Sequence, residues 1–335
     1  MKPSGIGGQA VIEGVMMKNK EDYAVAVRKP DNTIIIKKEK YESKSEKYNL
    51  FKLPILRGML SFIESLTMGI QILTFSASFY EDEEEEEAKK VENVFSKVFK
   101  EKAESVAMGL TVATSIALSI AVFILLPYFV AEFLSRSIES RIVMTLIEGA
   151  LRILIFVSYI YLISKMEDIQ RLFMYHGAEH KAINCIENGY ELTVENVKTQ
   201  SREHKRCGTS FTFLVMFISI IFFMFIRVDS VWLRVIVRLL LVPLISGVSY
   251  EFLKWAGRSD SLIVRIFSKP GLLLQSFTTR EPDESMIEVA IASVEAVFDW
   301  RAFIGIESSK EKQDSIDEND EDREVKEVEQ IVRES

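Results

Sequence analysis

The residues able to hold a metal fall together between positions 175 and 211 of this chain. The stretch reads YHGAEHKAINCIENGYELTVENVKTQSREHKRCGTSF and contains every histidine (His176, His180, His204) and both cysteines (Cys185, Cys207). His176, Glu179 and His180 give the spacing H-x-x-E-H, the order of the inverted zinc-peptidase helix. Residues four apart share a helix face, so this spacing predicts two imidazoles aimed at one ion. At about 100° per residue, Glu187 returns close to that face and Cys185 points away from it. Glu179 stands beside the pair, as a ligand or as the general base that activates a water. REHKRCG at 202–208 adds His204 and Cys207 as third and fourth donors. Such a donor set suits a divalent metal, zinc first, with iron or manganese as alternatives. The plain alternative is a set of membrane-interface histidines bonded to their neighbours. No C-x-x-C occurs, which removes the redox-pair reading.

The elements that must position these residues are dominated by apolar runs, at about 106–134, 142–163, 211–226 and 231–253. Each approaches or exceeds the roughly 17–25 residues that cross ~30 Å of hydrocarbon, the third being the shortest. Four crossings put the N-terminus, the loop 164–210 and the C-terminus on one side, and the Lys/Arg load there makes that side cytoplasmic. Arg234 and Arg238, toward the outer end of the fourth run, fit this rule less well. Glu148 and Arg152 stand four apart in the second run, the order of an intrahelical ion pair facing a bundle or a polar cavity. Glu251, at the inner end of the fourth run, lies close enough to the cytoplasmic surface to reach the histidine loop. Residues 50–80 are apolar but carry Lys52, Arg57 and Glu64 between basic flanks. That combination predicts an interfacial or re-entrant helix.

Residues 1–49 read as a small cytoplasmic β unit, with AVIEGVMM, DYAVAVRK and NTIIIKKEK as strands and Pro30-Asp31-Asn32 as a turn. Gly5, Gly7 and Gly8 read as turn residues. Glu13, inside an apolar strand, is either an edge residue or a carboxylate lent to the histidine site. The second run continues without a breaker through KMEDIQRLFMYHGAEHKAINCIENG, which predicts one helix ending at Asn188-Gly189. In segment 254–306, SLIVRIF reads as a short interfacial helix and Lys269-Pro270-Gly271 as a turn. Pro282 and Asp283 open a last helix that packs on the β unit.

The net charge of −8 is concentrated in EDEEEEE, within a linker at 81–105, and in an acidic tail at 307–335, both read as solvated. No basic-aromatic pattern points to nucleic acid. Two cysteines make no disulfide framework, and the N-terminus lacks an apolar core of signal-peptide length. The fold class is therefore a mainly α polytopic membrane protein of about four transmembrane helices, an interfacial or re-entrant helix and a small N-terminal β unit. The helices form one pair within 106–163 and a tight hairpin within 211–253.

GGQAVIEGVMM, RGMLSFIESL, YHGAEHKAINCIENG, HKRCGTSF and KPGLLLQSFTTREPDESMIEVAI together resemble the YqhQ-like family, along most of the chain up to about residue 300. Its members are multi-pass bacterial membrane proteins, uncharacterised and described as predicted metal-dependent enzymes. The resemblance implies the bacterial cytoplasmic membrane; it says little about substrate. The family's HPRCGT reads HKRCGT here, with Lys205 in place of proline.

These readings lead to a metal-dependent hydrolase acting on a membrane-associated peptide or lipid. The alternative is a non-catalytic membrane factor that assists insertion, quality control or assembly of other membrane proteins, with a structural metal or a polar joint. A transporter, supported by Glu148, Arg152 and Arg238, comes third.

Overall fold

The computed structural model describes residues 3–43, 53–80, 109–134, 140–204, 207–226, 230–256 and 261–306, with 106 and 228. The linker 81–105 and the tail 307–335 lie outside the described residues. Four antiparallel strands form a sheet in chain order: β1 (Gly7–Val11), β2 (Gly14–Asn19), β3 (Asp22–Arg28) and β4 (Ile34–Lys40). AVIEGVMM is thus two strands rather than one. They turn at Ile12-Glu13, where Glu13 takes a positive φ of 48° and Val11 pairs with Gly14. A φ of 64° at Asn32 closes the β3–β4 turn expected at Pro30-Asp31-Asn32.

Strand side chains alternate between faces, and here both faces are covered. Val15, Met17, Ala24 and Ala26 pack into one core with Ile183, Ile287 and Val294, while Val11, Met16, Val25 and Val27 pack with Met68 and Ile72. The first core joins the sheet to α4 (Glu167–Glu187) and α9 (Glu284–Val297). Asp283 caps α9 by accepting from the Met286 N–H at 2.9 Å, as the sequence predicted.

The second core joins the sheet to α1 (Pro54–Ala77). α1 is one unbroken helix of 24 residues with proline in its first turn, so it makes no re-entrant bend. Among the described residues it is one of four helices long and apolar enough to cross a membrane. Its second half lies on the sheet, where the Ser76 hydroxyl accepts from the Ile12 N–H at 3.2 Å. Its outward face carries an exposed apolar stripe, Ile63, Leu66 and Ile70.

The other three long helices are α2 (Gly109–Leu134), α3 (Arg141–Ile163) and α7 (Val231–Ala256). With the shorter α6 (Gly208–Met224) they bury the charges predicted within the membrane. α2 loosens to a π-helical turn at Ala121–Leu125, just before Pro127. Proline has no N–H to offer Phe123, four residues back, and the Phe123 carbonyl accepts from Arg152 Nε at 3.1 Å instead.

Two expectations about helix ends need correction. α3 and the histidine helix are not continuous: α3 stops at Ile163, and α4 starts at Glu167 after a three-residue bend. Arg280 takes the Ser164 carbonyl at 2.9 Å, and Glu167 and Asp168 fall in the first turn of α4, where acidic side chains favour a new start. Lys269-Pro270-Gly271 is not a turn but lies inside α8 (Leu262–Thr278). The buried side chains Val264, Leu274 and Gln275 lie on both sides of it and carry the helix through the proline. α5 (Val194–Lys198) and α10 (Trp300–Ile304) complete the described chain.

Candidate metal centre

The second half of α4 is almost wholly buried. His176 and His180 project from it as their spacing predicted, with ring centroids 4.4 Å apart. Each ring is held by one nitrogen. His176 Nδ1 is 2.8 Å from the Thr278 carbonyl at the end of α8, and His180 Nδ1 meets the Arg202 carbonyl. A carbonyl can only accept, so Nδ1 carries the proton in each neutral ring and Nε2 keeps its lone pair. His180 Nε2 is buried with no hydrogen-bond partner among the described residues. His176 Nε2 is 3.2 Å from Cys207 Sγ, and one donor atom from each of His176, His180 and Cys207 lies within 4.8 Å of the others. Two imidazoles whose far nitrogens are pinned to carbonyls, beside a cysteine sulfur, are what a tetrahedral metal accepts as ligands.

Glu179 Oε2 lies 3.9 Å from His176 Nε2 and 4.0 Å from His180 Nε2. Burial pushes its carboxyl above the usual range, opposed by His176, His204 and a hydrogen bond from the Gly8 N–H. The GIGGQ stretch therefore acts through its backbone: β1 runs along α4 and delivers Gly8 to Glu179. A second glycine allows a similar approach from the other side. A Cβ on Gly177 would stand 2.1 Å from the Arg280 carbonyl oxygen, so the chain leaving α8 can cross α4 only there.

The loop that carries the remaining donors is stitched to α4. Asn184 donates to the Ser201 and Glu203 carbonyls at 2.8 and 3.0 Å, and Lys181 donates to the Lys198 carbonyl at 2.8 Å and pairs with Glu281. Gln275 of α8, fully buried, accepts from the His204 N–H at 2.9 Å and donates to the His204 carbonyl at 2.8 Å. Cys207 then caps α6, where its sulfur accepts from the Thr209 N–H at 3.4 Å. Sequence reasoning missed Gly8, Asn184, Gln275 and Thr278. The one available signal was a polar residue, Gln275, within an apolar helical run.

The other candidate residues sit around this group rather than in it. His204 is buried with its ring centroid 5.6 Å from that of His180 and its Nε2 3.7 Å from Glu187, while Cys207 falls within the tighter group of donors with the two histidines of α4. Glu187 also accepts from the backbone N–H and hydroxyl of Ser4, at 2.8 and 2.7 Å. Glu13 pairs with Arg171 and accepts from the Tyr175 hydroxyl at 3.1 Å. Glu251 pairs with Arg57 at 2.7 Å, joining α7 to α1. Glu148 and Arg152 form the predicted ion pair at 2.7 Å, in the helix bundle. Cys185 points away, as predicted, with its sulfur 3.3 Å from the Glu191 carbonyl and burial pushing its thiol up to about 12.

His176, Glu179, His204 and Cys207 line one wall of an open cleft of about 1230 Å³. The facing walls come from β1, β2, α1 and the end of α7, and they bring Lys18, Lys20, Arg57 and Lys254 to the same space.

The family described as "Protein of unknown function (DUF1385)" matches residues 53–300. The chain belongs to this family. It is also 36% identical over 299 residues to "Uncharacterized protein YqhQ" of Bacillus subtilis (strain 168), covering 87% of this chain and 91% of that protein. No solved structure matches it. The family match takes in α1, the histidine helix, Cys207 and α9, so the whole candidate centre except Gly8 lies within it.

Proposed function

We propose that the chain is a metal-dependent hydrolase of the cytoplasmic membrane, acting on a membrane-associated lipid or peptide. The observation that carries this is the buried, unpartnered Nε2 of His180 beside His176 Nε2 and Cys207 Sγ. An orphaned buried acceptor costs about 1–3 kcal/mol, and a bound ion removes that cost. His176, His180 and Cys207 would hold the ion, zinc by donor type, and the ion would supply Lewis acidity and activate a water. Glu179 Oε2, 3.9 and 4.0 Å from the two histidine nitrogens, would serve as the general base for that water. Lys18, Lys20 and Lys254 would draw an anionic group into the cleft. The outward apolar stripe of α1 supports delivery of that group from the bilayer surface, on the cytoplasmic side.

One observation favours a second reading. The same three donors join α4 of the β unit to the first turn of α6 in the bundle, so an ion there would also act as a structural joint in a non-catalytic assembly factor. Metal analysis of the purified chain by mass spectrometry tests both readings first. Stoichiometric zinc lost in His176→Ala and in His180→Ala supports the centre, and no metal in chelator-free preparations sinks it. Glu179→Gln then separates the two: a hydrolase keeps its metal and loses turnover, whereas a structural joint keeps its metal and its biological function.

A further inference from the structure

A second group of buried charges lies in the helix bundle, away from the histidines. Glu148 of α3 meets Arg152 at 2.7 Å and Arg238 of α7 at 2.6 Å. All three are at least nine-tenths buried, with exposures of 4%, 6% and 5%. Arg152 has further acceptors in the Phe123 carbonyl and the Ser219 hydroxyl, at 3.1 and 3.2 Å. The neighbouring Arg234 and Glu132 pair with each other at 2.9 Å. Among the described residues, then, one carboxylate serves two guanidinium groups, and the cluster carries one positive charge more than it neutralises. Arginine does not shed its proton in a protein, and an uncompensated charge within apolar helices is expensive.

The excess has an open place beside it. Tyr128, Thr145, Glu148, Phe223, Arg234 and Arg238 help line a cavity of about 60 Å³. Two of these groups are donors without partners among the described residues: the Tyr128 hydroxyl, in a side chain only 2% exposed, and Arg238 Nε. Their side chains are in contact, the Arg238 guanidinium stacking over the Tyr128 ring 4.5 Å from its centroid. A water would satisfy the donors and leave the charge; a cation would add to it. Glu148 and Glu132 also face the cavity, but each is engaged by arginine.

We infer that this cavity binds a single halide-sized anion, chloride by abundance, held by Arg238 and the Tyr128 hydroxyl. This site is independent of the metal centre. Equilibrium dialysis of the purified full chain against radioactive chloride in a gluconate buffer tests it. The expected result is saturable uptake of one chloride per chain, with affinity reduced about tenfold or more in Tyr128→Phe and in Arg238→Gln, since each removes a hydrogen bond to a charge. Arg238→Gln leaves Glu148 paired one to one with Arg152, so the fold loses no charge balance. Chloride should also raise the thermal midpoint above that in gluconate at equal ionic strength, and this gain should vanish in both variants. No saturable uptake by the unaltered chain, or uptake unchanged in both variants, overturns the inference.

Discussion

Gly8 of β1 lies so close to Glu179 of α4 that a Cβ added to it would stand 2.8 Å from the Glu179 Cγ and 2.6 Å from the Met16 carbonyl oxygen. The second contact is with backbone and cannot be relieved by a rotamer change. Gly8→Ala is therefore expected to displace β1 from both β2 and Glu179, at a cost of about 1–3 kcal/mol. A lower thermal midpoint together with weaker metal retention is the expected outcome. An unchanged midpoint would mean that β1 does not rest on the glutamate.

The two cysteines should respond differently to an alkylating reagent. Cys185 is fully buried, and its thiol, pushed up to about 12, stays protonated at any pH used for labelling. It should label only on unfolding. Cys207 lines the cleft and, as a ligand of the proposed ion, is expected to label in the folded chain after treatment with a chelator and hardly at all before. Peptide mass spectrometry after each treatment reads both. Labelling of Cys207 that ignores the chelator would argue against its role as a ligand.

Gln275 is bonded both ways to the backbone of His204, three residues before Cys207. Gln275→Ala leaves the buried His204 N–H without a partner and its carbonyl with the Cys207 N–H alone at 3.4 Å, at about 1–3 kcal/mol for the orphaned N–H before relaxation. The loop should loosen and metal affinity should fall about 10–100-fold, as for other groups that orient ligands. Competition with a chelator of known affinity measures the change. A stability loss with unchanged affinity would assign Gln275 to folding alone.

What the sequence made legible was mostly what short-range spacing controls. The i,i+4 relation of His176 and His180, the opposite aim of Cys185, the Asp283 cap and the Glu148–Arg152 pair all depend on helix geometry within a few residues. The placing of His204 beside Glu187 depends on where α8 pins the backbone of residue 204, through Gln275, 71 positions away. The carbonyls of Arg202 and Thr278, which orient the two rings, belong to residue types that give no clue to the role, because backbone carbonyls are the same in every residue. The bend at residues 164–166 escaped because neither proline nor glycine marks it. It is secured by Arg280, which reaches the Ser164 carbonyl from beyond the end of α8. The helical course of α8 through Pro270 likewise follows from tertiary burial overriding a local turn signal.

The Arg57–Glu251 pair offers a test of how α1 is held. Arg57 donates to both carboxylate oxygens at 2.7 Å, and both side chains are under a third exposed, at 29% and 26%. A bidentate, half-buried pair that joins two helices is worth more than an exposed one, on the order of 1–2 kcal/mol. Arg57→Ala and Glu251→Ala should each lower stability, and the double variant should lose less than the sum of the two. Because Arg57 lines the cleft, its loss should also open α1 away from the histidine wall and raise protease sensitivity near its first turn. Strict additivity of the two substitutions would show that the pair does not couple α1 to α7, and that the packing of Met68 and Ile72 on the sheet and the close approach of Gly58 to Gly247 hold the helix without it.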